Sequence, residues 1–163
     1  MDWERARQPE QKAVRRKAIL DAARSLFTEL GYDEISLNGI AREAGMNKAN
    51  VYRYFSSREE IFLTIYQAEQ DEFIRSLIAR LKKIRSKDSV GAICRVWVEV
   101  AMEHRALLDL LPQLSTSLEG NSSVEQLVHF KKPMYERFRE LIQTLEQVHP
   151  QLDYQQWSDV LQC

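Results

Sequence analysis

Residues 36–58 read SLNGIAREAGMNKANVYRYFSSR, and this stretch decides the fold. Ser36 precedes an apolar-periodic run and suits a helix N-cap, where its hydroxyl accepts from backbone N–H groups. Leu37, Ile40, Ala41 and Ala44 follow at spacings of three, one and three, so they share one helical face. Gly45 stands where that helix should end, because glycine adopts the left-handed conformation of a C-terminal cap without strain. Asn47 then caps a second short helix, predicted over Lys48–Tyr54. Two short helices joined by so tight a turn must cross rather than run parallel. The layout, at about residues 36–55, is a helix-turn-helix, which lays its second helix in the major groove of DNA.

Such a pair needs a hydrophobic floor, and the preceding sequence supplies one. Ile19, Ala22, Ala23, Leu26, Phe27 and Leu30 fall at i, i+3, i+4, i+7, i+8 and i+11, an amphipathic stripe ended by Gly31. Tyr32 and Ile35, in the link to the next helix, are expected to fold onto the same core. Val51 and Phe55 are expected to close the three-helix unit from the other side.

The run Arg15–Tyr66, RRKAILDAARSLFTELGYDEISLNGIAREAGMNKANVYRYFSSREEIFLTIY, resembles the DNA-binding domain of the TetR family of bacterial transcriptional regulators. The likeness rests on the AILDAARSLFTELGY helix, the IAREAGMN turn, the VYRYF ending and the SSREEIF that follows. It covers about a third of the chain in one contiguous block. The chain departs from the family's habits at Asn47 and Asn50, where small hydroxyl residues are frequent. It departs again at Tyr54, where histidine is frequent, and at Arg58, where lysine is commoner. These departures leave the operator sequence open.

The resemblance implies a set of DNA-facing residues. Lys48, Ala49 and Tyr52 match positions that approach base edges. Lys48 can donate to guanine O6 or N7, and Ala49 or the Tyr52 ring can touch a thymine methyl. Ser36, Asn50, Arg53, Tyr54 and Arg58 match phosphate-contacting positions, which fix register and add salt-dependent affinity. Asn47 is either a pure cap or a contact.

Composition adds bounds. The chain has 163 residues, 44% hydrophobic and 29% charged, with a formal charge of −1, the balance of an ordinary globular protein. Residues 1–60 hold 11 Lys and Arg against 10 Asp and Glu, so no net basic domain signals nucleic acid. The cations are instead patterned, with Arg5, Arg7, Lys12, Arg15, Arg16 and Lys17 near the N-terminus. Residues 1–11 are expected to be a flexible arm, along DNA or in solvent. Few Gly and Pro, and helical periodicity throughout, predict an all-α fold. No apolar run approaches the ~18–20 residues of a membrane span, and the polar N-terminus lacks the pattern of a signal peptide. Cys94 and Cys163 lack metal spacing and fit a reducing cytoplasm. Cys94 reads as a small buried residue. His104, His129 and His149 are too scattered for a metal site, and no nucleophile set, phosphate loop or paired carboxylates suggest an enzyme. No cofactor is expected.

The domains are therefore expected at 1–57, for DNA binding, and 58–163, a helical bundle for ligand binding and dimerisation. In the second, helices are predicted at Glu59–Ile84, Ser89–Glu103, Val124–Val148 and Tyr154–Cys163. Leu107–Leu118 is an apolar stretch interrupted by Pro112, GNSS (120–123) is a loop, and Pro133 is expected to kink or end a segment. Candidate pocket residues are Trp97, Met102, Leu107, Leu111, Leu114, Phe130, Met134 and Phe138, although residues of this kind are more often core of a helical bundle. The family's regulators carry two long C-terminal helices that form a dimer interface, and the chain ends inside what resembles the first, so this domain is expected to be short. The expected partners are a palindromic double-stranded DNA operator, a second copy engaged through Gln151–Gln162 and Val124–Val148, and a small apolar or amphipathic effector that releases a repressor from DNA. The alternative is a helical protein-interaction module that has lost DNA binding or effector sensing. It would lack salt-dependent DNA affinity.

Overall fold

A computed structural model of the chain describes residues 3–85, 89–113 and 124–162, and of these not the side chains of 3–9, 126, 129, 130 and 162. All regular structure among the described residues is helical: α1 (Trp3–Leu30), α2 (Leu37–Glu43), α3 (Lys48–Tyr52), α4 (Arg58–Leu81), α5 (Ser89–Glu103), α6 (Arg105–Gln113), α7 (Val124–Val148) and α8 (Tyr154–Gln162). The all-α expectation is met. The GNSS loop, Leu114, Cys163 and the side chains of Arg5, Arg7, His129 and Phe130 lie outside the described residues.

The chain divides into two compact units. The first includes the residues through Ile65, and the second holds Tyr66–Pro112 and the segment from Val124. The first unit thus runs past the expected boundary at residue 57, because the opening turns of α4 complete its core. Ile61, Phe62 and Ile65 are buried with Ile19, Ala23, Leu26, Ile35, Ile40, Val51 and Phe55. Phe62 stands edge-on to Tyr32 at 5.1 Å between centroids and tilts against Phe27 at 5.8 Å. Each fully buried Val, Ile, Leu or Phe among these contributes about 1.5–3 kcal/mol of transfer free energy. Leu30, read as part of the stripe, is exposed at the end of α1. The segment expected as a flexible arm is helix from Trp3 onward, since Glu, Arg, Ala, Gln and Lys propagate a helix well.

Two glycines punctuate this unit as read. Gly31 and Gly45 have φ of 77° and 65°, a region costly to residues with a Cβ. At the end of α2 the Gly45 N–H donates to Arg42 O (3.1 Å) and the Met46 N–H to Ala41 O (2.8 Å). This pair of bonds is a Schellman motif, which satisfies carbonyls the helix leaves open.

The second unit has its own core. Ile74, Leu77, Ile78 and Leu81 of α4 pack with Ile93 and Val100 of α5, Leu141, Ile142 and Leu145 of α7 and Trp157 of α8. Arg137 of α7 donates to Asp71 of α4 at 2.6 Å, and Arg80 of α4 pairs with Glu103 of α5. The side chains of these pairs are all more than a third exposed, so they orient helices more than they stabilise them. Helices α5, α7 and α8 begin where the sequence places them, and α4 ends at Leu81 rather than Ile84. Its last turn tightens to i→i−3 bonds, Lys83 N–H to Arg80 O and Ile84 N–H to Leu81 O, both 3.0 Å. Pro133 does not end α7, which continues to Val148. One missing N–H is outweighed by the burial of Leu141, Ile142 and Leu145 further along. Cys94, read as buried, is exposed on α5.

Candidate nucleic-acid interface

The two helices of the turn are held by caps and by few residues. Ser36 is extended at φ −112° and ψ 157°, and its hydroxyl oxygen accepts from the Gly39 N–H at 3.0 Å. Asn47 is likewise extended, and its side-chain oxygen accepts from the Asn50 N–H at 2.8 Å. Of the five residues of α3 only Val51 is fully buried, at 0% exposure. Phe55, just beyond, is the second anchor. The helix is two residues shorter than predicted. The Arg53 N–H turns to Asn50 O (3.3 Å) and the Tyr54 N–H to Val51 O (2.9 Å), i→i−3 bonds that close the last turn.

With Val51 inward, the other face of α3 points out. Lys48, Ala49, Tyr52 and Arg53 are exposed, while Asn50 and Tyr54 are half-buried. The Lys48 ammonium lies 5.6 Å from the centre of the Tyr52 ring, one turn along. This cation–aromatic pair holds both groups on the outward face. Ser36 is exposed at the start of α2. Its oxygen is used as a cap, but its hydroxyl hydrogen remains available to donate. The structure therefore brings Ser36, Lys48, Ala49, Tyr52 and Arg53 to the surface of one small unit.

Arg58 departs from the expectation of a phosphate contact. Its guanidinium turns inward, where Nη1 donates to Ile35 O at 2.8 Å and Tyr32 O at 3.3 Å, and Nε to Glu59 at 3.2 Å. It also stacks 4.2 Å from the centre of the Tyr32 ring. The group clasps the α1–α2 link from the first residue of α4. The Tyr32 hydroxyl donates to Glu59 at 3.3 Å. Burial pushes the Tyr32 phenol up to about 12, although the Arg58 charge pulls the other way. Behind Arg58, Ser57 accepts from the Glu60 N–H at 3.1 Å, and Glu60 accepts from the Ser56 N–H at 2.6 Å. This reciprocal arrangement, close to a capping box, fixes where α4 starts.

Sequence reasoning missed Arg16, which it placed only among the N-terminal cations. It is half-buried and donates to the Tyr54 carbonyl, just past α3. A signal was present: Arg16 stands three residues before Ile19 and extends the buried stripe of α1 back by one turn. Its neighbour Lys17 instead pairs with Asp21 at 2.5 Å on the exposed side.

Of the expected pocket residues that are described, Met134 and Phe138 share a groove and the others lie apart from it. Leu107 is buried in its own right, whereas Met102 and Leu111 are 63% and 43% exposed. Trp97 lines a groove between α5 and α8 of about 520 Å³, with Val90, Ile93, Cys94, Trp157 and Leu161. Met134 and Phe138 line another, between α7 and α8, of about 450 Å³, with Arg139, Ile142, Tyr154 and Ser158. An amphipathic helix announces its apolar face, but which part of that face meets a neighbour depends on the packing. Among the described residues no three His, Cys, Asp or Glu cluster as metal ligands, and no helix is long and apolar enough to cross a membrane.

A capped helix-turn-helix set on the floor of a longer helix, ahead of an all-helical unit, defines a helix-turn-helix protein of the DNA-binding kind. Residues 19–65 match the tetR family of bacterial regulatory proteins, and residues 67–163 match the tetracyclin repressor-like C-terminal domain. The chain belongs to the TetR family. It is similar to the HTH-type transcriptional regulator YfiR of Bacillus subtilis, 37% identical over 68 residues, 42% of this chain and 33% of that protein. It is also similar to the fatty acid metabolism regulator protein of Bacillus subtilis, 25% identical over 121 residues, 72% of this chain and 62% of that one. In both relatives the match spans less than two thirds of the relative's length. The fold is that of a TetR family transcription regulator from Marinobacter aquaeolei, with a TM-score of 0.57 and 21% identity over 86% of this chain and 70% of the other. The fatty acid degradation regulator FadR of Bacillus halodurans gives a TM-score of 0.56 and 19% identity over 86% and 75%.

Proposed function

We propose that the chain is a DNA-binding transcriptional regulator that acts as a homodimer on a palindromic site, represses, and is released by a small apolar or amphipathic molecule. The observation that carries the reading is the division of α3. Asn47, Val51 and Phe55 hold it, and Lys48, Ala49, Tyr52 and Arg53 are left facing outward. Lys48 and Tyr52 are assigned to base edges, with Ala49 against a thymine methyl. Ser36, Asn50, Arg53 and Tyr54 are assigned to phosphates. Arg58 is assigned to holding the unit together. The domain assignment follows: DNA binding in the first unit, effector binding and dimerisation in the second.

Two copies would set their α3 helices about one DNA turn, ~34 Å, apart and so read both halves of a palindrome. The effector is assigned to the apolar grooves of the second unit, whose linings include Trp97 and Trp157 in one and Met134 and Phe138 in the other. A molecule that prefers one arrangement of the dimer shifts its population and releases the DNA. The names of the two fatty acid regulators make acyl compounds the first to try. No catalytic step is assigned, and the reading places the protein in the cytoplasm with the DNA.

The test is selection from a library of random DNA duplexes, with recovered sequences read and binding measured across a salt series. A single enriched palindrome, bound with a steep salt dependence, supports the reading. A folded protein that enriches nothing and shows no salt-dependent affinity refutes it.

A further inference from the structure

Arg16 lies on α1, yet its guanidinium reaches two other elements. Nη1 donates to the Tyr54 carbonyl at 3.3 Å, and Nη2 to Thr64 Oγ1 at 3.5 Å. The guanidinium carbon sits 4.2 Å from the centre of the Phe55 ring. Thr64 spends its own hydroxyl hydrogen on the Glu60 carbonyl at 2.8 Å, so its oxygen is oriented as an acceptor. Tyr54 and Phe55 follow directly on Tyr52 and Arg53, the last outward-facing residues of the recognition segment. One planar cation therefore joins α1, the exit of α3 and the second turn of α4.

We propose that Arg16 is a positioning residue for DNA reading. It fixes the exit of α3 against α1 and α4, so that Lys48, Ala49 and Tyr52 meet the groove in one register. The inference rests on the regulator reading above. It separates Arg16 from the phosphate contacts its charge suggests. Two of its donors and one of its faces are spent inside the unit. A helix of five residues cannot hold its own direction, because nucleation costs more than so few bonds return. The register of α3 must therefore be imposed from outside. Val51 and Phe55 set its depth, and Arg16 sets the angle at which it leaves.

The experiment uses the full chain, the duplex recovered by selection and a scrambled duplex of equal length. Arg16→Gln, Arg16→Lys and Thr64→Val are compared with the parent across a salt series, with thermal melts followed by circular dichroism. Arg16→Gln should weaken binding to the recovered site by about tenfold, the scale of one lost hydrogen bond from a charged donor. Its affinity for the scrambled duplex and its salt slope should not change. Arg16→Lys keeps the charge but lacks the planar fork, and should recover only part of the loss. Thr64→Val should move selectivity the same way with every charge in place.

A salt slope reduced by about 0.9 in Arg16→Gln and restored in Arg16→Lys overturns the proposal in favour of a phosphate contact. Equal losses on both duplexes overturn it in favour of a general scaffold role. Should Arg16→Gln fail to fold, Arg16→Lys and Thr64→Val decide on the same readouts. A parent chain that enriches no site overturns the regulator reading and this inference together. A parent that selects a site, with all three variants indifferent, overturns this inference alone.

Discussion

Arg58→Met isolates the structural duty of a residue whose charge points elsewhere. Methionine keeps much of the apolar stem and removes the guanidinium. The bond to Ile35 O at 2.8 Å is a good hydrogen bond from a charged donor, a class worth about 1.5–3 kcal/mol. The stacking on Tyr32 at 4.2 Å adds about 0.5–2 kcal/mol in a partly desolvated site. The longer bond to Tyr32 O adds little, because that carbonyl also accepts from the Ile35 N–H at 3.2 Å. The contacts share one group and do not sum, so a net loss of about 2–3 kcal/mol is expected. Native-state hydrogen exchange, read at α2 and α3, should show protection reduced by about thirtyfold or more where the amides open with the whole unit. DNA binding, measured where the variant is folded, should keep the salt slope of the parent. Protection changed by less than about twofold, with a slope reduced by about 0.9, would refute the reasoning and return Arg58 to the phosphates.

Four other outcomes are expected. Tyr32 should ionise near pH 12 rather than 10.0, visible as a late step in tyrosinate absorbance that Tyr32→Phe removes. Because the folded-state value is raised, the stability linked to this group is complete below pH 10.0 and is lost as pH rises to about 12. Asn47→Ala should cost about 1 kcal/mol in thermal or urea melts, and Asn47→Asp should keep most of the cap. Arg53→Gln should reduce the salt slope of DNA binding by about 0.9 without loss of thermal stability. Leu145→Ala, at a fully buried site in the second core, should lower stability to urea by about 2–5 kcal/mol.

The turn was legible in the sequence because its determinants are local. Ser36, Gly45 and Asn47 each act within four residues, so a linear reading finds them. Helix existence was legible for the same reason, and Ser89–Glu103 and Val124–Val148 emerge at the bounds that periodicity gave. The arginines were not legible. Arg16 and Arg58 meet carbonyls 38 and 23 residues away, and although the stripe of α1 puts Arg16 on the inner side, the sequence does not say which carbonyl either arginine reaches. The pocket candidates were legible only in part, because their grouping depends on packing. Leu107 and Leu111 share a strongly apolar stretch, yet one is buried and the other exposed. The outward face of α3 was legible only through the resemblance; the structure adds that Lys48, Ala49, Tyr52 and Arg53 are exposed.

That separation has an evolutionary consequence. Lys48, Ala49, Tyr52 and Arg53 can each be exchanged without removing a core side chain, a side-chain cap or a turn glycine. The surface that would choose a sequence is thus nearly uncoupled from the stability that keeps the unit folded. A lineage can retarget such a protein one substitution at a time, each intermediate still folded. Duplicated copies can diverge in specificity long before their scaffolds differ.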